Sequence, residues 1–387
     1  MQHDHAFSLP QSGRFVGRVW RPDLQGPSVI VVRDGAVFDI TSRTTPTISA
    51  LLELDDPVAY LDDSPGTPLG DLQKLAASGP GEMATGAAPH LLAPCDLQAI
   101  KACGVTFAKS MVERVIEERA AGDPGRAESI RAAVGAIIGD SLQNLTPGSD
   151  QAMQVKAELI KEGLWSQYLE VGIGQDAEVF TKSQPLSAVG WGADIGLHPV
   201  STWNNPEPEV VLAVDSQGRI KGATLGNDVN LRDVEGRSAL LLGKAKDNNA
   251  SCAIGPLIRL FDETYGLDDL RRADLELLVE GADGFRLEGA SSMREISRDP
   301  LDLVAQTHGR HHQYPDGFML FLGTLFAPTQ DRDIAGEGFT HKVGDRVTIA
   351  NDELGSLVNT VRLSTDCPEW TFGFSALMRN LGARHLI

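Results

Sequence analysis

The sequence has few cysteines and little positive charge. Its four cysteines are Cys95, Cys103, Cys252 and Cys367, and no two of them form a Cys-x-x-Cys pair. This scatter argues against a zinc ribbon and against a disulfide framework. The 387 residues carry 34 Lys and Arg against 53 Asp and Glu, a net charge of −19. Such a chain lacks the basic footprint that nucleic acids and anionic membranes require.

Long hydrophobic runs are absent as well. No stretch approaches the roughly 20 apolar residues that span a bilayer. The first residues, Met1-Gln2-His3-Asp4-His5, show neither the basic nor the apolar region of a signal peptide. We therefore predict a cytoplasmic protein with a small-molecule partner. The acidic balance is compatible with an anionic ligand if a bound cation supplies local positive charge.

Length and pattern predict two domains. Residues 1–95 contain strand-like runs and the hairpin signal Asp34-Gly35, which indicate a small β-rich N-terminal domain. Residues 96–387 form the larger domain, with a helical insertion at about 122–163 and mainly strand-like runs afterwards. A helix is also predicted after Gly255-Pro256. The predicted class is β-dominated α+β.

One stretch concentrates the chemistry. Glu207 and Glu209 stand two residues apart at the head of an apolar run, and Asp228 follows in Gly226-Asn227-Asp228-Val229. Side chains two apart on a strand share a face, and clustered carboxylates near a core are unfavourable without a positive partner. An all-oxygen set favours Mg²⁺, with Mn²⁺ as the alternative. The competing interpretation places both glutamates on the solvent face of an edge strand.

Two further residues could carry proton transfer. Lys246 follows the carboxylates, and a lysine beside a dry, metal-bearing pocket can have its pKa lowered enough to act as a base. Glu178 precedes them and is a candidate partner acid. Two other motifs favour structural roles. His308, His311 and His312 suit a solvated helix end, and the Gly-x-Gly-x-x-Ala match at 172–177 suits a bend, because no strand precedes it.

The ordered combination resembles the fumarylacetoacetate hydrolase superfamily over roughly residues 100–365. The resemblance rests on Glu207-x-Glu209, the 226–233 segment Gly-Asn-Asp-Val-Asn-Leu-Arg-Asp, Lys246, and Gly344-Asp345-Arg346-Val347. It implies a distorted β-sandwich roll, a Mg²⁺ held by Glu207, Glu209 and Asp228, and a homodimer or homotetramer.

One departure from the hydrolases is informative. They carry a Gly-Leu-Asn-Tyr-x-x-His type segment whose histidine helps to activate water. The matching residues 104–110 here place Ser110 at the histidine position, with Glu113 as the acidic residue three further on. Serine cannot act as a general base near neutral pH without a base beside it. The substitution therefore weakens the case for C–C bond hydrolysis.

Residues 178–182 and 323–328 resemble the sugar-acid dehydratases of the superfamily, above all the 2-keto-3-deoxypentonate dehydratases of D-xylonate or L-arabinonate breakdown. The resemblance implies a Mg²⁺-dependent hydro-lyase that gives 2-oxoglutarate semialdehyde (2,5-dioxopentanoate). Lys246 would take the C3 proton, and Glu178 would protonate the departing hydroxyl. Lys182, Arg232, Thr324 and Ser110 are candidates for binding the substrate.

Two alternatives remain open at this point. The first is a hydrolase that splits a C–C bond in an acylpyruvate or another 2,4-diketo acid. The second is a sugar-acid binder that performs no reaction. The sequence does not give the chain length or the C4 stereochemistry of the substrate.

Overall fold

The computed structural model describes residues 7–77, 85–127, 130, 145–163 and 165–387. Strands dominate this part of the chain, which confirms the β-dominated α+β class. The strands are β1 Phe15–Arg21, β2 Gly26–Arg33, β3 Ala36–Asp39, β4 Thr67–Asp71, β5 His90–Leu92, β6 Ala99–Cys103, β7 Val179–Ser183, β8 Asp194–Leu197, β9 Asn204–Asn205, β10 Pro208–Val214, β11 Ile220–Asp228, β12 Asn230–Leu231, β13 Cys252–Leu260, β14 Asp274–Glu280, β15 Arg286–Ser292, β16 Phe318–Phe321, β17 Arg346–Asn351 and β18 Gly355–Leu363.

Helices connect and cover these strands. The described α-helices are Ile48–Leu52, Pro57–Asp63, Leu72–Ala76, Ala108–Ala120, Asp150–Lys161, Gln167–Ile173, Arg232–Glu235, Leu242–Lys246, Leu267–Leu270, Pro300–Thr307 and Phe374–Ala383, with 3₁₀ turns at Ala239–Leu241 and Met293–Glu295. None of the described helices is long and apolar enough to cross a membrane. Much of the predicted insertion at 122–163 lies outside the described residues, and the helix Asp150–Lys161 covers its last part.

Two sheets pack face to face. In the described chain, the larger sheet has the order β4-β3-β2-β1-β13-β11-β10-β16-β6-β7, with β5 on β1, and the smaller has the order β15-β14-β17-β18-β8. One apolar cluster joins them, with Leu212 and Leu225 from the larger sheet and Leu277 and Ile349 from the smaller. A sandwich of this kind buries one face of each sheet.

The N-terminal strands extend the larger sheet. β1 pairs with β13, with Phe15 opposite Arg259. The domain boundary near residue 95 stays a prediction. The predicted hairpin between β2 and β3 is confirmed, because Asp34 and Gly35 both have positive φ, 49° and 75°. Positive φ at both central residues is what a type I′ turn requires.

The helix predicted after Gly255-Pro256 is wrong. These residues lie inside β13, whose nine residues are all buried. A fully buried apolar run of this length fits a central strand as well as a helix. Pro256 has no N–H to donate to a neighbouring strand. The register of the β11–β13 pairing shifts between Ala223 and Leu225, and Leu225 is the partner of Gly255. Proline inside a sheet is found at such irregularities.

Candidate active site

Strand register brings three acidic side chains together at one end of the larger sheet. β10 and β11 pair antiparallel with Glu209 opposite Gly226. Glu207, just before β10, therefore lies beside Asp228 at the end of β11, and the Asp228 N–H donates to the Glu207 carbonyl at 3.1 Å. Because side chains two apart share a face, Glu209 joins the other two.

The three carboxylates form a cluster that suits a hard cation. One oxygen from each of Glu207, Glu209 and Asp228 lies within 4.8 Å of the others, and each residue is at most 1% exposed. The edge-strand interpretation of the glutamate pair is wrong, because β10 lies between β11 and β16. Hard divalent cations prefer oxygen donors of this kind.

Glu209 is the carboxylate of this cluster that has hydrogen bonds but no positively charged partner among the described residues. Its oxygens accept hydrogen bonds from the Gly323 N–H at 2.7 Å and from the Thr324 hydroxyl at 3.1 Å. Among the described residues, no Lys, Arg or His forms an ion pair with it. Burial, followed by the negative charges of Asp228 and Glu207, raises the pKa of Glu209 well above its usual range. A cation among these three carboxylates would remove this penalty, so the donor set fits a divalent metal.

Lys246 lies against the same carboxylates. Its ammonium is 2.5 Å from Glu207 Oε2 and 3.1 Å from Asp228 Oδ2. Burial lowers the pKa of Lys246, but the charges of Asp228, Glu207 and Glu235 outweigh burial, and the pKa is raised. Among these partners the shift is therefore opposite to the predicted lowering. A cation bound to these carboxylates would oppose the upward shift, because it offsets their negative charge.

Lys182 lies on the far side of Asp228. It is fully buried on β7, 2.8 Å from Asp228 Oδ1, and it donates to the carbonyls of Val229 at 3.2 Å and Lys246 at 2.5 Å. An ammonium has three donors, and all three have partners. This position does not fit the predicted contact with the substrate's acid group. Lys182 instead holds Asp228 and the backbone of Lys246 in place.

Arg114 completes the site, and the sequence did not single it out. It comes from the helix Ala108–Ala120, and its guanidinium contacts Glu207 Oε1 and Glu117, with Glu235 3.4 Å away. It is 7% exposed. The available signal was a pair of opposite charges, Arg114 and Glu117, three apart on a helix face that also carries buried apolar residues. Such a pair is buried only where something charged faces it.

The same helix also positions a second arginine. Glu117 pairs with Arg114, and its Oε1 lies 3.0 Å from Arg232 Nε as an ion pair. Arg232 is 1% exposed, donates to the Pro328 carbonyl at 3.2 Å and lies over the Trp203 ring. It is therefore placed behind the cavity wall, which does not fit its predicted contact with substrate.

The linked charges around the site do not balance. Among the described residues, the buried carboxylates around the site outnumber the buried cations by one. The carboxylates are Glu117, Glu207, Glu209, Asp228 and Glu235, and the cations are Arg114, Lys182, Arg232 and Lys246. Burying an uncompensated charge is strongly unfavourable. The excess is of one sign, which again favours a bound cation.

A small cavity of about 20 Å³ lies among these groups. Its lining includes Ser110, Thr324 and Glu178, together with Lys246, Arg114, Glu207, Asp228 and Glu235. Ser110 Oγ donates to the Thr324 carbonyl, so its proton is already engaged. Glu178 enters directly before β7, and its carboxylate occupies the space where a side chain on Gly104 would lie, because a Cβ there would stand 1.9 Å from Glu178 Oε2.

We expect Arg114→Met to destabilise the protein without added cation by about 3–5 kcal/mol. Removing Arg114 leaves the buried negative charges of Glu117, Glu207 and Glu235 without this partner. Urea denaturation measures this effect. The matched control is Arg119→Met on the same helix, whose guanidinium donates to the Gly163 carbonyl at 2.9 Å at the surface. Equal urea midpoints for the two variants would contradict the ion network.

Comparison with known proteins identifies the fold. The family model for the C-terminal region of fumarylacetoacetate hydrolases matches residues 185–362. A solved structure titled 2-keto-3-deoxy-D-arabinonate dehydratase, complexed with magnesium and 2,5-dioxopentanoate, superposes with a TM-score of 0.60 at 20% identity, covering 90% of this chain and 99% of that one. Fumarylacetoacetate hydrolase from Exiguobacterium antarcticum superposes with a TM-score of 0.55 at 17% identity, covering 90% and 99%.

Two curated proteins are similar in sequence. The 2-dehydro-3-deoxy-D-arabinonate dehydratase of Saccharolobus solfataricus is 33% identical over 188 residues, which is 48% of this chain and 58% of that protein. A protein named "Probable 2-keto-3-deoxyxylonate dehydratase" from Haloferax volcanii is 30% identical over 194 residues, covering 50% and 63%. The chain thus matches about three fifths of the length of each relative. Residues 185–362 thus match the fumarylacetoacetate hydrolase family model, and the chain is similar in sequence to two proteins named as pentonate dehydratases.

Proposed function

We propose that the protein is a hydro-lyase that dehydrates a 2-keto-3-deoxypentonate to 2,5-dioxopentanoate with the help of a divalent cation. The observation that carries this proposal is the shared cavity. It places Lys246 and Glu178 beside Glu207 and Asp228, and Glu209 lies within 4.8 Å of the latter two. The residues that we propose as cation ligands, base and acid thus lie close together.

Glu207, Glu209 and Asp228 would hold the cation, with Mg²⁺ as the first choice and Mn²⁺ as the alternative. When bound, it would act as a Lewis acid that stabilises the negative charge developing on the 2-keto side of the substrate. The solved relative with magnesium and 2,5-dioxopentanoate supports this choice of cation and product.

The chain's own residues would move the protons. Lys246 takes a proton from C3, the bond from C4 to its hydroxyl breaks, and Glu178 gives a proton to the departing hydroxyl, which leaves as water. The remaining 5-hydroxy-2-oxopent-3-enoate is an isomer of 2,5-dioxopentanoate and reaches it by proton shifts alone. The proton that Lys246 gains and the one that Glu178 loses are exchanged with solvent or with each other.

The names of the curated relatives support a D configuration at C4. Removing the stereocentres at C2 and C3 leaves C4 as the remaining one, so 2-keto-3-deoxy-D-arabinonate and 2-keto-3-deoxy-D-xylonate are the same compound. The L-arabinonate-derived enantiomer is the natural comparison substrate. Thr324 and Ser110 line the cavity and stay candidates for contacts with the substrate. Assembly into a homodimer or homotetramer also stays a prediction.

An acylpyruvate hydrolase is the second candidate, because it would share the cation site. It needs an activated water, and Ser110 Oγ donates to a carbonyl instead. A sugar-acid binder without activity is the third. Incubating the Mg²⁺-loaded protein separately with both 2-keto-3-deoxypentonate enantiomers and with an acylpyruvate distinguishes them. We expect water loss from a pentonate. Pyruvate formed from the acylpyruvate alone would identify a hydrolase, and binding that EDTA abolishes, without turnover of any compound, would identify a binder.

The proposed acid predicts a pH dependence. Burial, followed by the charge of Glu235, raises the pKa of Glu178 to about 7 against the opposing charges of Lys246 and Arg114. Other groups that act on this part of the cavity are Asp228, Cys103 and Tyr168. Glu178 is protonated below this pKa, so its acid function is lost as pH rises through it. A bound cation lowers the midpoint somewhat.

We therefore expect kcat/KM to fall as pH rises, with a midpoint at or somewhat below pH 7. Glu178→Gln should lower kcat by about 10²–10⁴-fold and remove this limb of the profile. A pH–rate series from pH 5 to pH 9 on both proteins measures this. An unchanged limb in the variant would assign the titration to another group.

A further inference from the structure

The cavity is small and nearly all its polar groups are engaged. Its volume of about 20 Å³ has room for about one water molecule. Lys246 is bound to Glu207 and Asp228, and Arg114 to Glu207 and Glu117. The engaged hydroxyls are Ser110 with the Thr324 carbonyl and Thr324 with Glu209.

Two cavity-lining side chains differ from these. Within the described part of the chain, neither the Glu178 carboxylate nor the Tyr168 hydroxyl has a hydrogen-bond or ion-pair partner, although both line the cavity. Glu178 is the proposed acid. Tyr168 has no role in the reaction as derived so far. A phenol that is largely withdrawn from water normally finds a partner.

Local structure fixes the Tyr168 ring firmly. It lies on the helix Gln167–Ile173, which is capped by Ser166 Oγ accepting from the Tyr168 and Leu169 N–H groups. The ring packs in an apolar cluster with Met111 and Trp203, and the residue is 6% exposed. A side chain held in this way presents its hydroxyl at a defined point, which is what a selective contact requires.

Tyr168 lines the cavity among charged groups. Burial raises the pKa of Tyr168, and the next contributions come from Glu235, Arg114, Glu117 and Glu178. These are the groups of the cavity wall around Arg114 and Glu178. The phenol thus stays neutral and can both donate and accept a hydrogen bond.

We infer that the Tyr168 hydroxyl binds the C5 hydroxyl of the substrate and so selects hydroxylated chains over shorter or deoxygenated 2-keto acids. This inference rests on the proposed function. The cation site and Lys246 serve C1 to C3, and Glu178 serves the hydroxyl on C4. The C5 hydroxyl is the substrate group left without a partner, and Tyr168 is the cavity group left without one.

The test crosses two proteins with two substrates. The substrates are 2-keto-3-deoxy-D-pentonate and its 5-deoxy analogue, 4-hydroxy-2-oxopentanoate, which keeps the leaving hydroxyl and lacks the one on C5. We expect Tyr168→Phe to raise KM for the pentonate about 10-fold, the loss of one neutral hydrogen bond, with kcat within about 3-fold. For the 5-deoxy analogue, KM should match that of the unsubstituted protein.

Tyr265→Phe is the matched control, since Tyr265 is another buried tyrosine whose hydroxyl has no hydrogen-bond partner among the described residues and which lies outside the cavity. It should leave both KM values unchanged. Equal losses on both substrates, or no loss on either, would overturn the inference while leaving the dehydratase intact. If the unsubstituted protein dehydrates neither compound, the proposed function itself fails.

Discussion

Glu209→Gln is expected to abolish cation-dependent stabilisation and to lower kcat more than 100-fold, while the cation-free protein becomes no less stable. Glu209 has no cationic partner among the described side chains. Neutralising it therefore leaves no buried positive charge without its partner. Its raised pKa reflects burial and the repulsion of Asp228 and Glu207. A glutamine relieves that repulsion, and its amide oxygen can still accept from the Gly323 N–H.

The measurement is thermal unfolding with and without Mg²⁺. A ligand at 100 times its Kd stabilises the folded state by about 2.7 kcal/mol, so the unsubstituted protein should show a clear rise in Tm. Glu209→Gln should show none. Glu53→Gln is a suitable control, since Glu53 binds Ser216 far from the carboxylate cluster. A Mg²⁺-dependent rise in Tm that survives in Glu209→Gln would contradict the assignment of this ligand.

Lys246→Met should lower kcat by about 10²–10⁴-fold at saturating Mg²⁺, the usual effect of removing a general base. Methionine keeps the length of the side chain and its apolar stem, so the loss is that of the ammonium group. The substitution leaves Glu207 and Asp228 without the ion pairs at 2.5 and 3.1 Å. We therefore expect it to destabilise the cation-free protein as well.

Saturating Mg²⁺ separates the two effects, because it offsets the charge left on the carboxylates. Circular dichroism under assay conditions checks that the variant is folded. Lys244→Met, on the exposed side of the same short helix, is the matched control and should keep full activity. A kcat within a few-fold of the unsubstituted protein, with Mg²⁺ bound, would show that Lys246 is not the base.

The sequence predicted the metal-ligand geometry from short-range rules. The period of two along a strand places Glu207 and Glu209 on one face, and pairing of adjacent strands brings Asp228 to them. The resemblance to a known family supplied the choice of Asp228 and Lys246 among many carboxylates and lysines. Neither the strand period nor the resemblance says whether β10 is a central or an edge strand. That distinction separates a buried cation site from a glutamate pair that faces solvent.

Residues contributed by helices were harder to predict. Arg114 and Tyr168 reach the cavity only because their helices pack over the end of the sheet, and that packing depends on the tertiary contacts of an apolar cluster. Lys182 and Arg232 were predicted to bind the substrate, yet both are buried in ion pairs, with Asp228 and Glu117 respectively.

The most direct test of the proposed dehydratase activity is a proton NMR time course of the full chain with Mg²⁺ and 2-keto-3-deoxy-D-pentonate. We expect the substrate signals to be replaced by those of 2,5-dioxopentanoate, and EDTA to stop the conversion. Cleavage to pyruvate and glycolaldehyde, or a substrate that stays unchanged with Mg²⁺ bound, would contradict the proposed activity.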